Sequence, residues 1–370
     1  MSFARATRKG GLFCVRLSCV RCRWWRLHLG HFLLALLVSG GLGLAAQEFT
    51  ADAGLTVERV GIFPTGRWPK QVVFTPDSTR ILVPLLEAEG FDLITLASRT
   101  VRRIEVPQLG AYRNFPEGVF AYSSDRFLLS QMSTNRIHVF DYPDLVLRRS
   151  VASGGTMPKV IAPDPGGEFI AVSHWIGHTV TILDGRTFEL LHTLQIPQTR
   201  TPRGLAITPD GSHLLVAYYG SGHICVIDTQ TWQASALIHV GGAPRHVVID
   251  ATGTVAYISD LANPRIAVFD IPNRRVLAWV PVGVHPNTID LSPDGRLLFV
   301  SSRGPNDPVD YTRRSPENGA IYVVDTVRHQ VVGIIDGGNQ PTGLDVSPDG
   351  NLLAFSNFQD NNVEVYRIVR

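Results

Sequence analysis

From Leu55 onward the apolar residues fall in short runs, each cut off by a polar or turn-forming stretch. HLLVAYY (213–219), HICVID (223–228) and ASALIHV (234–240) form one such series. β-branched residues are common in the runs, and none sustains the period of a helix. The pattern predicts strands of about five or six residues joined by tight turns.

The series recurs. WPKQVVFTPDS from Trp68, FPEGVFAYSSD from Phe115, MPKVIAPDPGG from Met157 and TPRGLAITPDG from Thr201 align on one proline. APRHVVIDATG from Ala243, HPNTIDLSPDG from His285 and QPTGLDVSPDG from Gln340 complete the set. The aligned prolines are Pro69, Pro116, Pro158, Pro202, Pro244, Pro286 and Pro341, spaced 47, 42, 44, 42, 42 and 55 residues apart. Each copy holds four short strands, and such a unit repeated seven times predicts an all-β, seven-bladed β-propeller of four-stranded antiparallel blades. One sheet alone cannot bury both faces, whereas sheets packed around an axis cover each other and hide their edges. The seventh copy, ending EVYRIVR, is one strand short, and LTVERVGIFPTG (55–66) lies ahead of the first copy without a place. That N-terminal strand is expected to complete the last blade as its outermost member.

The punctuation has physical reasons. Gly after Pro-Asp accepts positive φ at little steric cost. The Asp that ends the third strand of most copies (Asp141, Asp184, Asp228, Asp270, Asp325) can accept nearby backbone N–H groups. The proline opens the first strand, where a missing ladder donor costs little.

In LLVAYYGSGHICVIDTQT the run of strand, Gly-Ser hairpin and strand ending in Asp resembles the YVTN-type β-propeller repeat family, which includes YncE-like exported proteins. The similarity spans about residues 55–370. It implies the propeller fold and says little about activity, since members of that family are mostly non-enzymatic or uncharacterised. The Trp-Asp and Gly-His signatures of WD40 blades are absent.

Residues 1–46 read as a separate leader, with residues 47–370 forming the propeller. The leader carries Arg5, Arg8, Lys9, Arg16, Arg21, Arg23 and Arg26 and no acid, so the remaining chain is net acidic. This disfavours a globally basic nucleic-acid surface. FLLALLV (32–38) followed by small residues predicts a signal peptide cut after Ala45 or Ala46 and export to the periplasm or cell exterior. The alternative is an uncleaved anchor, the one membrane attachment the sequence offers. Cys14, Cys19 and Cys22 lie in the leader, which leaves Cys225 without a disulfide partner in the body.

In this architecture the loop before the first strand and the hairpin between strands two and three share one face, around the axial channel. The residue after each proline should ring the channel mouth: Lys70, Glu117, Lys159, Arg203, Arg245, Asn287 and Thr342. Four cations and one anion in seven equivalent slots would favour an anionic ligand, a glycan or an acidic protein partner. The position matching the family's terminal Asn is Leu85, Gln131, His174, Tyr218, Asp260, Ser302 and Asn357, and its variation makes His174, Tyr218, Asp260 and Asn357 further ligand-binding candidates. The longest spacing marks an insertion, RGPNDPVDYTRRSPENG (303–319), a candidate lid or partner loop with Tyr311, Arg313 and Arg314 as contacts. No carboxylate–histidine cluster, lipase-type nucleophile elbow or phosphate-cradling loop is present, so no metal, cofactor or catalytic residue is expected. A non-enzymatic binding propeller is the leading reading. A propeller enzyme of lactonase or quinoprotein type is the alternative. Single-stranded nucleic acid binding, with Trp68 and Tyr218 as stacking surfaces, is the third.

Overall fold

The computed structural model describes residues 46–48, 56–106 and 113–369; of the expected leader, residues 1–46, all but Ala46 lies outside them. Every regular element among the described residues is a β-strand. No helix there is long and apolar enough to cross a membrane.

Seven antiparallel sheets follow one another along the chain. The fourth is typical. Pro202–Ile207, His213–Tyr218, His223–Asp228 and Gln233–His239 pair in sequence order. Their centres are buried on both faces, because each sheet is covered by a neighbouring blade on either side. Leu214, Val216, Cys225 and Ile227 pack against the third blade's Ala171 and Ile182, while Leu215, Ala217, Ile224 and Val226 pack against the fifth blade's Ile258 and Phe269. Adjacent residues of one strand thus serve two different inter-blade cores, as the two-residue period of a strand requires. The first strands of successive blades neighbour one another and line the axis.

The ring closes as the sequence predicts. Thr56–Pro64 pairs antiparallel with Asn362–Val369 and completes the seventh blade. It is not the outermost strand, however: Ala46–Glu48 pairs along its free edge, giving that sheet five strands. A bare edge strand is a template for aggregation, and this added segment shortens it.

The strand-ending aspartates act as expected. Asp184 Oδ1 accepts the N–H groups of Arg186 and Thr187, Asp228 Oδ1 those of Gln230 and Thr231, and Asp325 Oδ1 those of Val327 and Arg328. Gly211, Gly295 and Gly350 of the Pro-Asp-Gly turns take φ of 73°, 69° and 75°.

Candidate functional site

The geometry of the channel mouth begins at the repeated proline. The residue before it is held in the left-handed region at Trp68, Met157, Thr201, His285 and Gln340, with φ between 53° and 60°. This turns the chain inward. Just past the proline the ladder slips by one residue: Pro158 pairs with His174 but Ile161 with Val172, and blades four to seven slip at the same place. Such a bulge re-aims the side chain it carries. The backbone N–H left over by the slip is taken by a buried serine on the second strand. Val160 N–H donates to Ser173 Oγ (3.1 Å), His246 N–H to Ser259 Oγ (3.1 Å), Thr288 N–H to Ser301 Oγ (3.0 Å) and Gly343 N–H to Ser356 Oγ (2.8 Å). Serine hydroxyls also reach across to the next blade. Ser130 Oγ donates to Lys159 O (2.9 Å), Ser173 Oγ to Arg203 O (3.1 Å), Ser259 Oγ to Asn287 O (2.6 Å) and Ser301 Oγ to Thr342 O (3.1 Å). The carbonyls so held belong to four of the seven residues expected at the mouth.

Six of those seven converge, while the Thr342 hydroxyl donates to Gln340 O. Arg203 Nη2 donates to Glu117 Oε1 at 2.5 Å, bridging blades four and two. Arg245 Nε donates to Asn287 Oδ1 at 2.7 Å. Burial pushes the Lys70 amine well below its ordinary value, and the charges of Arg245, Arg303, Arg203 and Lys159 push it further. Lys159 falls to about 7, through burial first and then Arg203 and Arg245, with Glu117 opposing. Burial, then Arg203 and Arg245, also hold His246 near 4 despite the attraction of Glu117. Five basic groups therefore share one volume with one carboxylate. Arg203, Arg245 and Arg303 are only 3, 7 and 5 % exposed. Arg203 Nη1, Arg303 Nε and Asn287 Nδ2 are buried without a hydrogen-bond partner among the described residues.

Arg303 is the residue that the sequence reading missed as a mouth ligand. It sits one step past the strand-two position matched to the family's Asn, a step that also supplies Trp175, Tyr219 and Phe358. The backbone N–H at this step donates to the residue before the proline: Trp175 to Met157 O, Tyr219 to Thr201 O, Arg303 to His285 O and Phe358 to Gln340 O. Lys70 Nζ lies 5.5 Å from the Phe358 ring centre, Lys159 Nζ 5.2 Å from Trp175, and the Arg303 guanidinium 5.6 Å from Phe358. Trp68 stacks on Phe358 at 5.4 Å, and Trp175 packs on Tyr219 at 5.1 Å. The mouth is thus cationic with aromatic walls.

Of the other expected residues Tyr311 reaches the mouth, its ring centre 5.7 Å from the Arg303 guanidinium, and the rest lie elsewhere. His174, Tyr218, Asp260 and Asn357 are buried where the second strand pairs with the proline. His174 Nε2 meets Ser153 Oγ at 3.1 Å, and Tyr218 belongs to the core between blades three and four. Asp260 accepts Ala243 N–H and pairs with Arg265 at 3.0 Å; Asn357 accepts Gly338 N–H and donates to Glu364. Their polar groups hold loops and neighbouring strands in place. The insertion is a strap rather than a free lid. Gln340 Nε2 donates to Tyr311 O, Arg313 O and Ser315 Oγ; Asn339 and Ser315 bond each other twice; Arg314 pairs with Asp360. Tyr311 and Arg313 are exposed.

A second feature of the channel wall also escaped the sequence reading. Three residues along the first strand from Asn287 and Thr342 stand Asp290 and Asp345, in contact with each other. Asp290 Oδ2 accepts Val346 N–H (2.8 Å) and Asp345 Oδ2 accepts Phe74 N–H (2.6 Å), so each carboxyl reaches into the next blade. Burial raises Asp290 to about 6 and holds Asp345 well above its ordinary value, the latter also through the Asp290 charge. The signal was present in PNTIDL and PTGLDV, where the other copies carry an apolar residue. Among the described residues no group of three or more metal-ligating side chains occurs. Surface clefts of about 630 Å³ beside Pro209 and Ile271 and about 560 Å³ beside Tyr322 and Gly337 hold no buried cations.

Residues 228–370 match the family model described as lactonase, 7-bladed beta-propeller. Antigen Lp49 of Leptospira interrogans is 35% identical over 324 residues, covering 85% of this chain and 70% of that protein. A 6-phosphogluconolactonase of Formosa agariphila is 23% identical over 293 residues, 68% of this chain and 79% of that protein. Among solved structures, a chain of Kuenenia stuttgartiensis hydrazine synthase superposes with a TM-score of 0.67 at 16% identity, over 81% of this chain and 95% of that one. That likeness is one of fold. With the ring of seven blades established, the identity and coverage shared with antigen Lp49 show that this chain belongs to the same family of seven-bladed β-propellers.

Proposed function

We propose that this protein is an exported, non-enzymatic binding propeller with YVTN-type repeats, whose axial mouth holds an anionic ligand, free or carried on a partner protein or glycan. The observation that carries the reading is the gathering of Lys70, Lys159, Arg203, Arg245 and Arg303 around the single carboxylate of Glu117. Burying like charges together is costly unless something neutralises them. The unpartnered donors of Arg203, Asn287 and Arg303 favour a ligand with acceptor oxygens. Export is supported by the basic-then-apolar N-terminal stretch and agrees with a relative named as an antigen. The test is calorimetric titration with phosphate, carboxylates and acidic sugars. Arg245→Ala should weaken whatever binds by about tenfold or more, the usual scale for losing a buried charged contact. Unchanged affinity in that variant would reject the mouth as the site.

A second reading is lactonase-type hydrolysis of an anionic lactone. It is favoured by the family model matched over 228–370 and by Lys159, a basic group titrating near neutrality beside Glu117. Turnover of negatively charged lactones by purified protein, lost in Lys159→Met, would support it; a panel without turnover would retire it.

A further inference from the structure

We propose that the mouth takes a dianionic small molecule, and that Arg303, delivered by the sixth-blade insertion, reads the second of its two charges. The inference rests on the anion-site reading and goes further by counting charge. A lysine in this ring can relieve repulsion by losing its proton; an arginine keeps its charge. Three guanidiniums are therefore the fixed charges of the mouth. Arg203 is met by Glu117. Arg245 meets a neutral amide oxygen, Asn287 Oδ1, and feels Glu117 only at longer range. Arg303 meets another neutral amide oxygen, Gln340 Oε1, and the rings of Tyr311 and Phe358. The Gln340 amide cannot turn to offer anything else, because its nitrogen is fixed by Tyr311 O, Arg313 O and Ser315 Oγ. Two buried guanidiniums thus stand uncompensated, on neighbouring blades.

A carboxylate in place of either amide would neutralise the site from within. Amide oxygens orient the guanidiniums and leave their charge for a ligand. Unpartnered donors stand beside both: Asn287 Nδ2 on the amide that holds Arg245, and Nε of Arg303 itself, with Arg203 Nη1 as a third, so each uncompensated guanidinium has a free N–H with which to meet a charged group. The step past strand two carries an apolar or aromatic residue in the other six blades (Leu86, Met132, Trp175, Tyr219, Leu261 and Phe358), so this second reading head belongs to the sixth blade, where Arg303 opens the insertion.

The experiment compares succinate, glutarate and adipate, each with its monomethyl ester, by calorimetry near neutral pH. At least one diacid should bind about tenfold tighter than its half-ester, one unit of charge-assisted contact. In Arg303→Gln that ratio should fall to within about twofold of unity, and in Arg303→Lys most of it should survive. Diacid and half-ester binding equally to the wild-type protein would overturn the inference while leaving the anion site standing. A ratio unchanged in Arg303→Gln would remove Arg303 from it. If neither these acids nor inorganic phosphate bind, the anion-site reading itself falls. Should Arg303→Gln fail to fold, the wild-type ratio and Arg303→Lys still decide.

Discussion

Lys159 is the mouth cation expected to titrate near neutrality. Burial and the neighbouring guanidiniums of Arg203 and Arg245 hold its amine at about 7, and Glu117 opposes them only in part. Its charge is present below that value and fades above it, so attraction for an anion should fade with it. Anion affinity is expected to fall about fivefold between about pH 6 and about pH 8.5, and Lys159→Met should flatten that slope. Calorimetric titrations across the range check this; a slope surviving in the variant would assign the titration to another group. Most of this ring was legible in the sequence because its members follow a repeated proline. Arg303 was not, because its importance depends on a side chain reaching back from the strand-two hairpin over Phe358. No spacing encodes that reach. Nor could the sequence tell that His174, Tyr218, Asp260 and Asn357 face loops and cores, since a strand position fixes a level along the sheet but not which partner the side chain meets.

The element that shapes the mouth is the bulge between the first two strands, and serine completes it. Ser259 accepts His246 N–H and donates to Asn287 O, which in turn sets the amide that holds Arg245. Ser259→Ala leaves a buried donor and a buried acceptor without partners. The expected loss is about 1–3 kcal/mol, read as a lower denaturant midpoint at unchanged slope. Anion affinity should weaken in the same variant, although the residue touches no ligand. Blade four shows the alternative solution. It has Ala217 at the serine position, and the neighbouring strand comes so close that a Cβ on Gly204 would lie 2.5 Å from Arg245 O. The blade count, turns and strand-ending aspartates were readable from composition and period. The serine column was visible in LLSQ, AVSH, YISD, FVSS and AFSN, yet serine in a strand reads as neutral until the slip it satisfies is seen.

At the scale of the whole molecule, closure depends on the seventh blade, and the acid pair lies beside that seam. Asp290 joins blade six to seven, and Asp345 joins seven to one. Both carboxyls are raised in the folded state, Asp290 to about 6, so folding holds their proton more tightly than the unfolded chain does. Their favourable contribution is full in acid and is lost as pH rises from the ordinary aspartate range through about 6 and beyond. The melting temperature should therefore drop between about pH 5 and about pH 8, and Asp345→Asn should reduce that drop. A variant with the same pH dependence as wild type would place the titration elsewhere.

The pairing of Thr56–Pro64 with Asn362–Val369 has a consequence for how the protein is made. Synthesis lays down the first of these partners roughly 300 residues before the second. Six sheets can stack on the growing chain, but the early strand must wait for the last one to emerge before its other edge is paired. Closure is thus withheld until Asn362–Val369 has been made, and a chain lacking the seventh blade would leave the apolar faces of blades six and one bare on either side of a gap.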